Sequence, residues 1–246
     1  MQEAYLDIYG VPTRVQTWGR WVEESYTKPE PENIVLCIPG NPGLAFIDTY
    51  VPKNARIHFV GHSIGAYIIL EILKKSWIRE NTDGAYLLFP AIEYMAQTKN
   101  GWYMVNVIQY LVRLILLLTW IFTLLPFVLQ YLLIKGYIIF YSVLNTHLET
   151  IIDFLRPDVL DKVFYLAVDE MYKVKERATN VLLENKRKIK LYYGANDRWS
   201  PQKYCKQLKR DIPDIDAEIC TRNFEHAFVL RHPEQVAVMV SSWIKH

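Results

Sequence analysis

The stretch RIHFVGHSIGAY, residues 56–67, decides the fold. Its first five residues predict a buried strand, and residues 66–75 predict an amphipathic helix directly after it. Between them stands Gly-His-Ser-Ile-Gly, residues 61–65. A strand that turns sharply into a helix pushes the central serine clear of the sheet, and the flanking glycines allow the close backbone approach that this turn requires. We therefore predict that Ser63 is a nucleophile, with a structural serine in a tight turn as the alternative.

Apolar runs on both sides of this stretch predict further strands, and they alternate with helical segments. Residues 4–22 predict a hairpin, and helices are expected over residues 201–210 and after Pro233. The predicted strands are residues 34–38 and 56–60, which are expected to be buried, and residues 85–89, 188–193 and 217–220. Strands that alternate with helices indicate a doubly wound, mostly parallel α/β sheet.

A serine nucleophile needs a base, and the base needs a carboxylate to orient it. In folds with this strand–serine–helix turn, the acid and then the histidine follow the serine along the chain. Asp197 lies four residues beyond the predicted strand that ends at Tyr193, and His226 follows 29 residues later. Both belong to loops at the carboxyl ends of strands, where open α/β sheets bind ligands. The alternatives are a helix cap for Asp197 and a surface loop position for His226.

Two backbone amides are predicted to stabilise an oxyanion. One belongs to Ile64, at the start of the helix after Ser63, and the other lies near Asn41 in the loop Pro-Gly-Asn-Pro-Gly, residues 39–43. A tight turn that only ends a strand is the alternative for this loop. Because the chain has no zinc-ligand spacing, no dinucleotide glycine pattern and no phosphate loop, we expect neither a metal nor a cofactor.

Several other polar residues are weaker candidates. They are His58, His62, His147, Glu225 and His232. His58 is better explained by a packed strand than by catalysis, and His62 by the turn next to the nucleophile. His147 lies at the edge of the apolar segment, and His232 precedes a helix start. Glu225 would need an awkward local turn to orient His226.

An unusually apolar segment interrupts the α/β pattern. Of all residues 51% are hydrophobic and 14% aromatic, and within residues 104–144 only Arg113 and Lys135 are charged. The uncharged part, residues 114–134, is long enough to cross a bilayer, but Pro126 interrupts it. Two arms that meet at a proline favour a hairpin inserted in one leaflet, or a lid, over a transmembrane span or a buried helix pair. Aromatic residues suited to a membrane interface occur along this segment: Trp102, Tyr103, Trp120, Tyr131, Tyr137 and Tyr141.

Charge and cysteine usage restrict the partners. The net charge of +2 is too balanced to suggest nucleic acid. The three cysteines, Cys37, Cys205 and Cys220, show no metal spacing and no paired framework, which favours reduced core positions in a protein that faces the cytosol. The first residues show neither a basic region nor an apolar region of a secretory signal, so none is expected.

Five motifs together resemble the lipid droplet-associated hydrolase family of the α/β-hydrolase superfamily, and most of all its insect members. They are IPGNPG (38–43), VGHSIGAY (60–67), LLFPAIE (87–93), LYYGANDRW (191–199) and EHAFV (225–229). The resemblance implies Ser63 as nucleophile, Asp197 as acid and His226 as base. It also implies residence on the lipid droplet monolayer and the endoplasmic reticulum membrane, and an esterase activity on sterol or other neutral-lipid esters.

The segments are predicted as an N-terminal part of the core (residues 1–98), an apolar insertion (99–160) and a C-terminal part of the core (161–246). Only 19 residues separate Gly43 from Ser63, where relatives have room for a strand and two helices. Residues 50–54 already look like the end of the second helix. A crossover of this kind needs a dozen residues or more, so we expect a missing strand before Ser63 and a shortened isoform. A catalytically weak protein that organises droplets is therefore the alternative to an esterase. A soluble hydrolase of the same fold, such as a dehalogenase, is disfavoured by the insertion.

Overall fold

The structure, a computed structural model, describes residues 2–8, 11–17, 33–38, 51–144 and 147–244. The predicted oxyanion residue Asn41 and the rest of its loop lie outside these residues. The strands of the described part are β1 (Gln2–Ile8), β2 (Val11–Thr17), β3 (Asn33–Ile38), β4 (Arg56–His62), β5 (Thr82–Leu88), β6 (Ile189–Tyr193) and β7 (Asp216–Ile219).

Helices follow most of the strands, and a long helical segment separates β5 from β6. The α-helices of the described part are α1 (Ile64–Ile72), α2 (Ser76–Asn81), α3 (Lys99–Tyr103), α4 (Gln109–Thr123), α5 (Phe127–Tyr141), α6 (Leu148–Phe154), α7 (Pro157–Lys173), α8 (Thr179–Asn185), α9 (Gln202–Asp211) and α10 (Pro233–Ile244).

Five of the strands form one sheet in the order β3-β4-β5-β6-β7, and every neighbouring pair is parallel. Parallel neighbours require crossover connections, and helices supply them after β4, β5 and β6. The predicted parallel α/β fold is confirmed, and so is the N-terminal hairpin, because β1 and β2 pair antiparallel. Among the described strands β3 lies at one edge of the sheet, with β4 as its neighbour. If a strand were missing before Ser63, β3 would be left at the edge of the sheet, as it is here. The loss of that strand stays a prediction.

The chain packs as two compact units. The first, which we call the sheet unit, comprises residues 1–92, 178–193 and 203–219. The second comprises residues 93–177, 194–202 and 220–246, and we call it the insertion unit because it contains the whole predicted insertion, 99–160.

Apolar side chains from strands and helices form the core of the sheet unit. Ile57 and Phe59 of β4, Ile69 and Leu70 of α1 and Leu87 of β5 are fully buried in one cluster. Alternate residues of β4 point to the same face, and residues three and four apart on α1 share one side of the helix. These two periodicities bring the apolar residues of strand and helix together, so the predicted strand–serine–helix segment also anchors the core.

In the insertion unit, α3 continues through a π-helical turn (Met104–Ile108) into α4. The combined helix, Lys99–Thr123, is long and apolar enough to cross a membrane, as judged by length and composition. It ends just before Pro126, which precedes the first residue of α5, so the predicted break is confirmed.

Helix α4 packs against α7, and α5 packs against α6. The two apolar helices are also in contact, because the side-chain amide of Gln130 in α5 donates to the carbonyl of Thr123 at the end of α4 at 3.3 Å. Phe122 of α4 packs against the cluster that Ile134 and Ile138 of α5 form with Leu148 of α6.

Some local predictions were wrong. Residues 51–54 form a turn rather than the end of a helix, and α2 had not been predicted. A six-residue helix offers too few periodic positions to be distinguished from a turn by its sequence pattern. Among the cysteines, Cys205 and Cys220 are buried and free, as expected.

Gly61, near the end of β4, allows α1 to approach the strand. A Cβ atom built on Gly61 would lie 2.4 Å from Cδ1 of Ile69 and 2.9 Å from the carbonyl oxygen of Gly65. The second contact is with backbone, which cannot move without moving α1. A side chain at position 61 is therefore incompatible with the observed packing of the strand against the helix.

We expect Leu182→Ala to destabilise the protein by about 2–5 kcal/mol, because Leu182 of α8 is fully buried in the core cluster and its loss leaves a cavity. Leu183, the next residue of the same helix, is 45% exposed, and Leu183→Ala should cost about 1 kcal/mol or less. Urea unfolding of both variants checks this. Equal losses of stability would contradict the packing described for α8.

Gly61→Ala should lower the free energy of unfolding by about 1–3 kcal/mol, since the added methyl group forces α1 or Ile69 to move. Gly136→Ala is the matched control. Gly136 lies in α5 with no atom within 4 Å of its Cβ position, so alanine should raise helix stability by about 0.5–1 kcal/mol. Thermal unfolding of the two variants should show opposite shifts. A Gly61→Ala variant as stable as Gly136→Ala would overturn the argument.

Candidate active site

Ser63 occupies a strained backbone position between β4 and α1. Its φ of 54° and ψ of −120° lie outside the regions that residues with a side chain usually adopt. Such a conformation costs about 1–3 kcal/mol and persists only where the surrounding structure enforces it. The strain matches the sharp strand-to-helix turn that exposes a serine nucleophile.

Three backbone hydrogen bonds hold Ser63 in this conformation. Its N–H donates to the carbonyl of Leu88 at 3.0 Å, and its own carbonyl accepts from Ala66 at 3.0 Å and from Ala91 at 3.1 Å. Leu88 ends β5, and Ala91 belongs to the loop after it. The exit of the neighbouring strand therefore fixes both polar backbone groups of Ser63.

Phe89 is a positioning residue that sequence reasoning missed. It has a φ of 48° and is fully buried, and its ring meets those of His62 and Tyr192 edge-on at 6.2 and 6.1 Å. Its N–H donates to the carbonyl of Tyr192 at 2.7 Å. The sequence gives no signal for it, because the following Pro90 favours an extended backbone with negative φ at the residue before it.

Ile64 is the first residue of α1, directly after Ser63. The first amides of a helix have no acceptor within the helix, and the helix dipole places partial positive charge there. The position is suited to an amide that donates to an oxyanion, and this role of Ile64 stays a prediction. The second predicted donor, near Asn41, lies outside the described residues.

Asp197 lies in the loop after β6, and its side chain is fully buried. Its Oδ1 accepts hydrogen bonds from the backbone N–H groups of Trp199 at 2.8 Å and Ser200 at 3.1 Å. Both amides precede α9, which begins at Gln202, so the carboxylate stabilises its own loop rather than capping that helix. Its Oδ2 remains available for a second partner.

That partner is His226, whose Nδ1 lies 2.6 Å from Oδ2 of Asp197. An ionised carboxylate can only accept, so Nδ1 carries the proton and donates it. In the neutral imidazole the lone pair is then on Nε2, which makes this nitrogen a base. The His226 side chain is 18% exposed, and the ring of Trp199 lies 6.4 Å away. The pair therefore has the geometry that orients a histidine for proton transfer.

The structure brings together two of the three residues of the predicted triad. Asp197 and His226 both belong to the insertion unit, whereas Ser63 and Ile64 belong to the sheet unit. In the described part of the chain, no cluster of three or more His, Cys, Asp or Glu side chains could hold a metal ion.

The weaker candidates have structural contacts. His58 stacks on Tyr86 with 6.3 Å between ring centroids, and His232 lies 5.3 Å from the ring of Phe224. Nε2 of His147 lies 3.2 Å from the carbonyl of Val229. Glu225 pairs with Arg231.

Comparison with known proteins agrees with the fold. A TM-score of 0.59 relates the chain to N-formylmaleamic acid deformylase from Pseudomonas putida S16, at 11% identity over 97% of this chain and 100% of that one. A thermophilic esterase from Thermogutta terrifontis has a TM-score of 0.51, at 16% identity over 85% of this chain and 74% of that one. At such low identity the likeness concerns the fold alone.

Relatives in sequence are closer. A lipid droplet-associated hydrolase of Drosophila melanogaster is 34% identical over 305 positions, covering 100% of this chain and 98% of the relative. Since this chain has 246 residues, at least 59 of those positions have no counterpart here. The lipid droplet-associated hydrolase of Mus musculus is 31% identical over 205 positions, covering 82% of this chain but only 62% of the relative's length.

A family model described as lipid-droplet associated hydrolase matches residues 44–229. This match covers most of the chain, and the Drosophila relative aligns along all of it. The chain therefore belongs to the lipid droplet-associated hydrolase family and has an α/β-hydrolase fold.

Proposed function

We propose that this protein is a serine carboxylic-ester hydrolase that acts on sterol esters or other neutral-lipid esters. The contact of 2.6 Å between Asp197 and His226 is the observation that carries the proposal, because it leaves Nε2 of His226 as a base. The strained backbone of Ser63 supports the same conclusion from the other unit. Neither feature is needed for the stability of an α/β sheet.

In the proposed reaction, the Oγ of Ser63 attacks the ester carbonyl carbon while Nε2 of His226 takes the hydroxyl proton. The carbonyl oxygen becomes an oxyanion that accepts a hydrogen bond from the amide of Ile64 and another from an amide near Asn41. The C–O bond to the alcohol then breaks, and His226 returns the proton to the leaving alkoxide. A water molecule, deprotonated by His226, then attacks the acyl carbon, and His226 returns the proton to Oγ of Ser63 as the bond to the acid breaks. Asp197 stays ionised and orients the imidazole.

We also propose that the insertion docks this enzyme on a lipid monolayer. Helix α4 has no buried residue, and most large apolar residues of α4 and α5 are exposed. Exposed apolar surface of this size indicates a membrane or a binding partner. A buried helix pair does not fit these exposures.

The positions of the charges favour a hairpin in one leaflet over a transmembrane span. The uncharged helical arms on the two sides of Pro126 are residues 114–123 and 127–134. At about 1.5 Å per residue they reach about 15 Å and about 12 Å. Half of a bilayer core of about 30 Å is similar in depth to these arms. Two arms that enter one leaflet and meet at Pro126 would therefore place Arg113 and Lys135 near the same interface. A droplet offers such a leaflet over a neutral-lipid core. We accordingly propose residence on droplets and the endoplasmic reticulum membrane, facing the cytosol.

The second candidate function is that of a catalytically weak protein that organises droplet surfaces. The observation in its favour is the short chain, which lacks a counterpart for at least 59 positions of the Drosophila alignment. Loss of a strand next to β3 would expose a sheet edge and displace the loop around Asn41. A displacement of about 1 Å can cost about 100-fold in rate.

A fluorophosphonate probe tests the esterase proposal. We expect the wild-type protein to be labelled and Ser63→Ala to be unlabelled, with Ser241→Ala, a change of an exposed helix residue, as the matched control. Asp197→Asn should slow labelling by about 1,000-fold or more, because the imidazole loses the partner that sets its tautomer. Mass spectrometry of the labelled peptide gives the site. Label that survives in Ser63→Ala, or a folded wild-type protein without label, would refute the esterase.

Flotation with phosphatidylcholine vesicles tests the docking proposal. Val128 in α5 is 68% exposed and Val238 in α10 is 70% exposed, so Val128→Asp and Val238→Asp are a matched pair. A carboxylate within the apolar layer costs about 2.5–3.5 kcal/mol, so Val128→Asp should weaken binding at least about 50-fold. Val238→Asp should float like the wild type. Unchanged flotation of Val128→Asp would eliminate the hairpin.

A further inference from the structure

The loops of Asp197 and His226 belong to the same compact unit as the apolar insertion. Residues 194–202 and 220–246 cluster with residues 93–177. At the start of the insertion, the N–H of Asn100 donates to the carbonyl of Arg198 at 3.2 Å. Arg198 is the neighbour of Asp197. The acid loop is therefore connected by a direct hydrogen bond to the first turn of the helix that enters the apolar arm.

The far end of the apolar arms contacts the loop of His226 in the same way. The N–H of Leu144 donates to the carbonyl of Leu230 at 3.2 Å. Nε2 of His147 lies 3.2 Å from the carbonyl oxygen of Val229. In the tautomer that carries the proton on Nε2, this nitrogen can donate a hydrogen bond to that oxygen. Val229 and Leu230 belong to a 3₁₀ turn that begins two residues after His226. Both contacts therefore act on the segment that carries the candidate base.

Arg231 adds a side-chain bridge between the same two segments. Its Nη2 donates to the carbonyl of Tyr141 at 2.6 Å, and its Nη1 donates to Oε1 of Glu225. Tyr141 is the last residue of α5, where helix carbonyls have no partner within the helix and the dipole favours a cation. Glu225 directly precedes His226. One planar guanidinium therefore joins the end of an apolar helix to the residue next to the base.

This bridge lies at the end of α5 opposite Pro126. Fifteen helical residues separate the two ends, so the bridge is about 22 Å from the tip that would enter lipid. A helix behaves as a rigid rod over this length, and a change in the orientation of α5 displaces its last carbonyl. Catalytic groups must be held to within about 0.5 Å, so even a small displacement of the His226 loop changes the rate.

We propose that Arg231 is a positioning residue that transmits the orientation of the lipid-bound insertion to the loop of His226, so that Ser63 reacts faster on a lipid surface. This inference rests on the proposed function. On the surface, lipid restrains α5, and the contacts of Tyr141, Leu144 and His147 hold the loop in one arrangement. Away from the surface α5 keeps its packing against α6 but lacks the added restraint from lipid, and the loop samples a wider range of positions.

The test compares fluorophosphonate labelling rates of the full chain with and without phosphatidylcholine vesicles. We expect vesicles to accelerate labelling of the wild type about tenfold, an ordinary strength of coupling between two sites. Arg231→Leu should bind vesicles but show less than about twofold acceleration. Arg231→Lys should be intermediate, because one ammonium group cannot match the two-pronged geometry. Arg156→Leu is the matched control, since Arg156 pairs with Asp158 at the start of α7. It should keep the wild-type ratio.

A second readout separates this inference from the esterase proposal. Hydrogen exchange of the amides of residues 225–232 should slow on vesicle binding in the wild type and in Arg156→Leu, but not in Arg231→Leu. This measurement does not depend on whether Ser63 reacts. If Arg231→Leu does not fold, Arg231→Lys takes its place in both assays.

Three results would overturn the inference. They are no acceleration of the wild type by vesicles, full acceleration in Arg231→Leu, or exchange rates that do not respond to vesicles. An unlabelled wild type whose exchange responds to vesicles as expected would instead refute the esterase and leave the connection between insertion and loop intact.

Discussion

The backbone of Ser63 depends on the exit of the neighbouring strand. Its positive φ is retained because Leu88 accepts its N–H and Ala91 donates to its carbonyl, while Phe89 fills the space between His62 and Tyr192. Gly61 permits the close approach of β4 and α1 that the turn requires. A strained residue of this kind costs about 1–3 kcal/mol, which is small compared with the free energy gained by burying the surrounding core. The parallel pairing of β4 and β5 is therefore the constraint on which the candidate nucleophile relies.

The two functions that we propose for the insertion unit, docking on lipid and proton transfer, depend on segments that the sequence separates widely. The apolar helices of this unit have the length and charge distribution of a leaflet-deep hairpin, and its remaining loops hold the Asp197–His226 pair. Hydrogen bonds of Asn100, Leu144 and Arg231 connect both ends of the apolar arms to the loops of Asp197 and His226. In an enzyme whose substrate is dissolved in lipid, such a connection would allow turnover only where substrate is present. The arrangement thus gives a physical reason for an insertion at this position, beyond anchoring.

Sequence patterns predicted the large elements and missed small ones, for reasons visible in particular residues. The five parallel strands each contain apolar residues next to turn-forming segments, and Pro126 lacks the N–H that would continue a helix, so both were predicted correctly. Residues 51–54 were mistaken for a helix end, since a few residues cannot establish a period. Phe89 escaped attention because a positive φ at a residue other than glycine is imposed by packing, and no residue type announces it.

Local sequence patterns were enough to predict the parallel α/β fold, the strand–serine–helix turn at Ser63, the order of Ser63, Asp197 and His226, and the apolar insertion. These follow from periodicity, from glycine and proline positions and from chain order, all of which are local. Only the tertiary structure decided that the carboxylate of Asp197 meets Nδ1 of His226, which sets the tautomer of the imidazole. It also decided that Arg231 joins Tyr141 to Glu225, across 84 residues of chain. Contacts over such distances depend on how whole elements pack, and no local pattern specifies them.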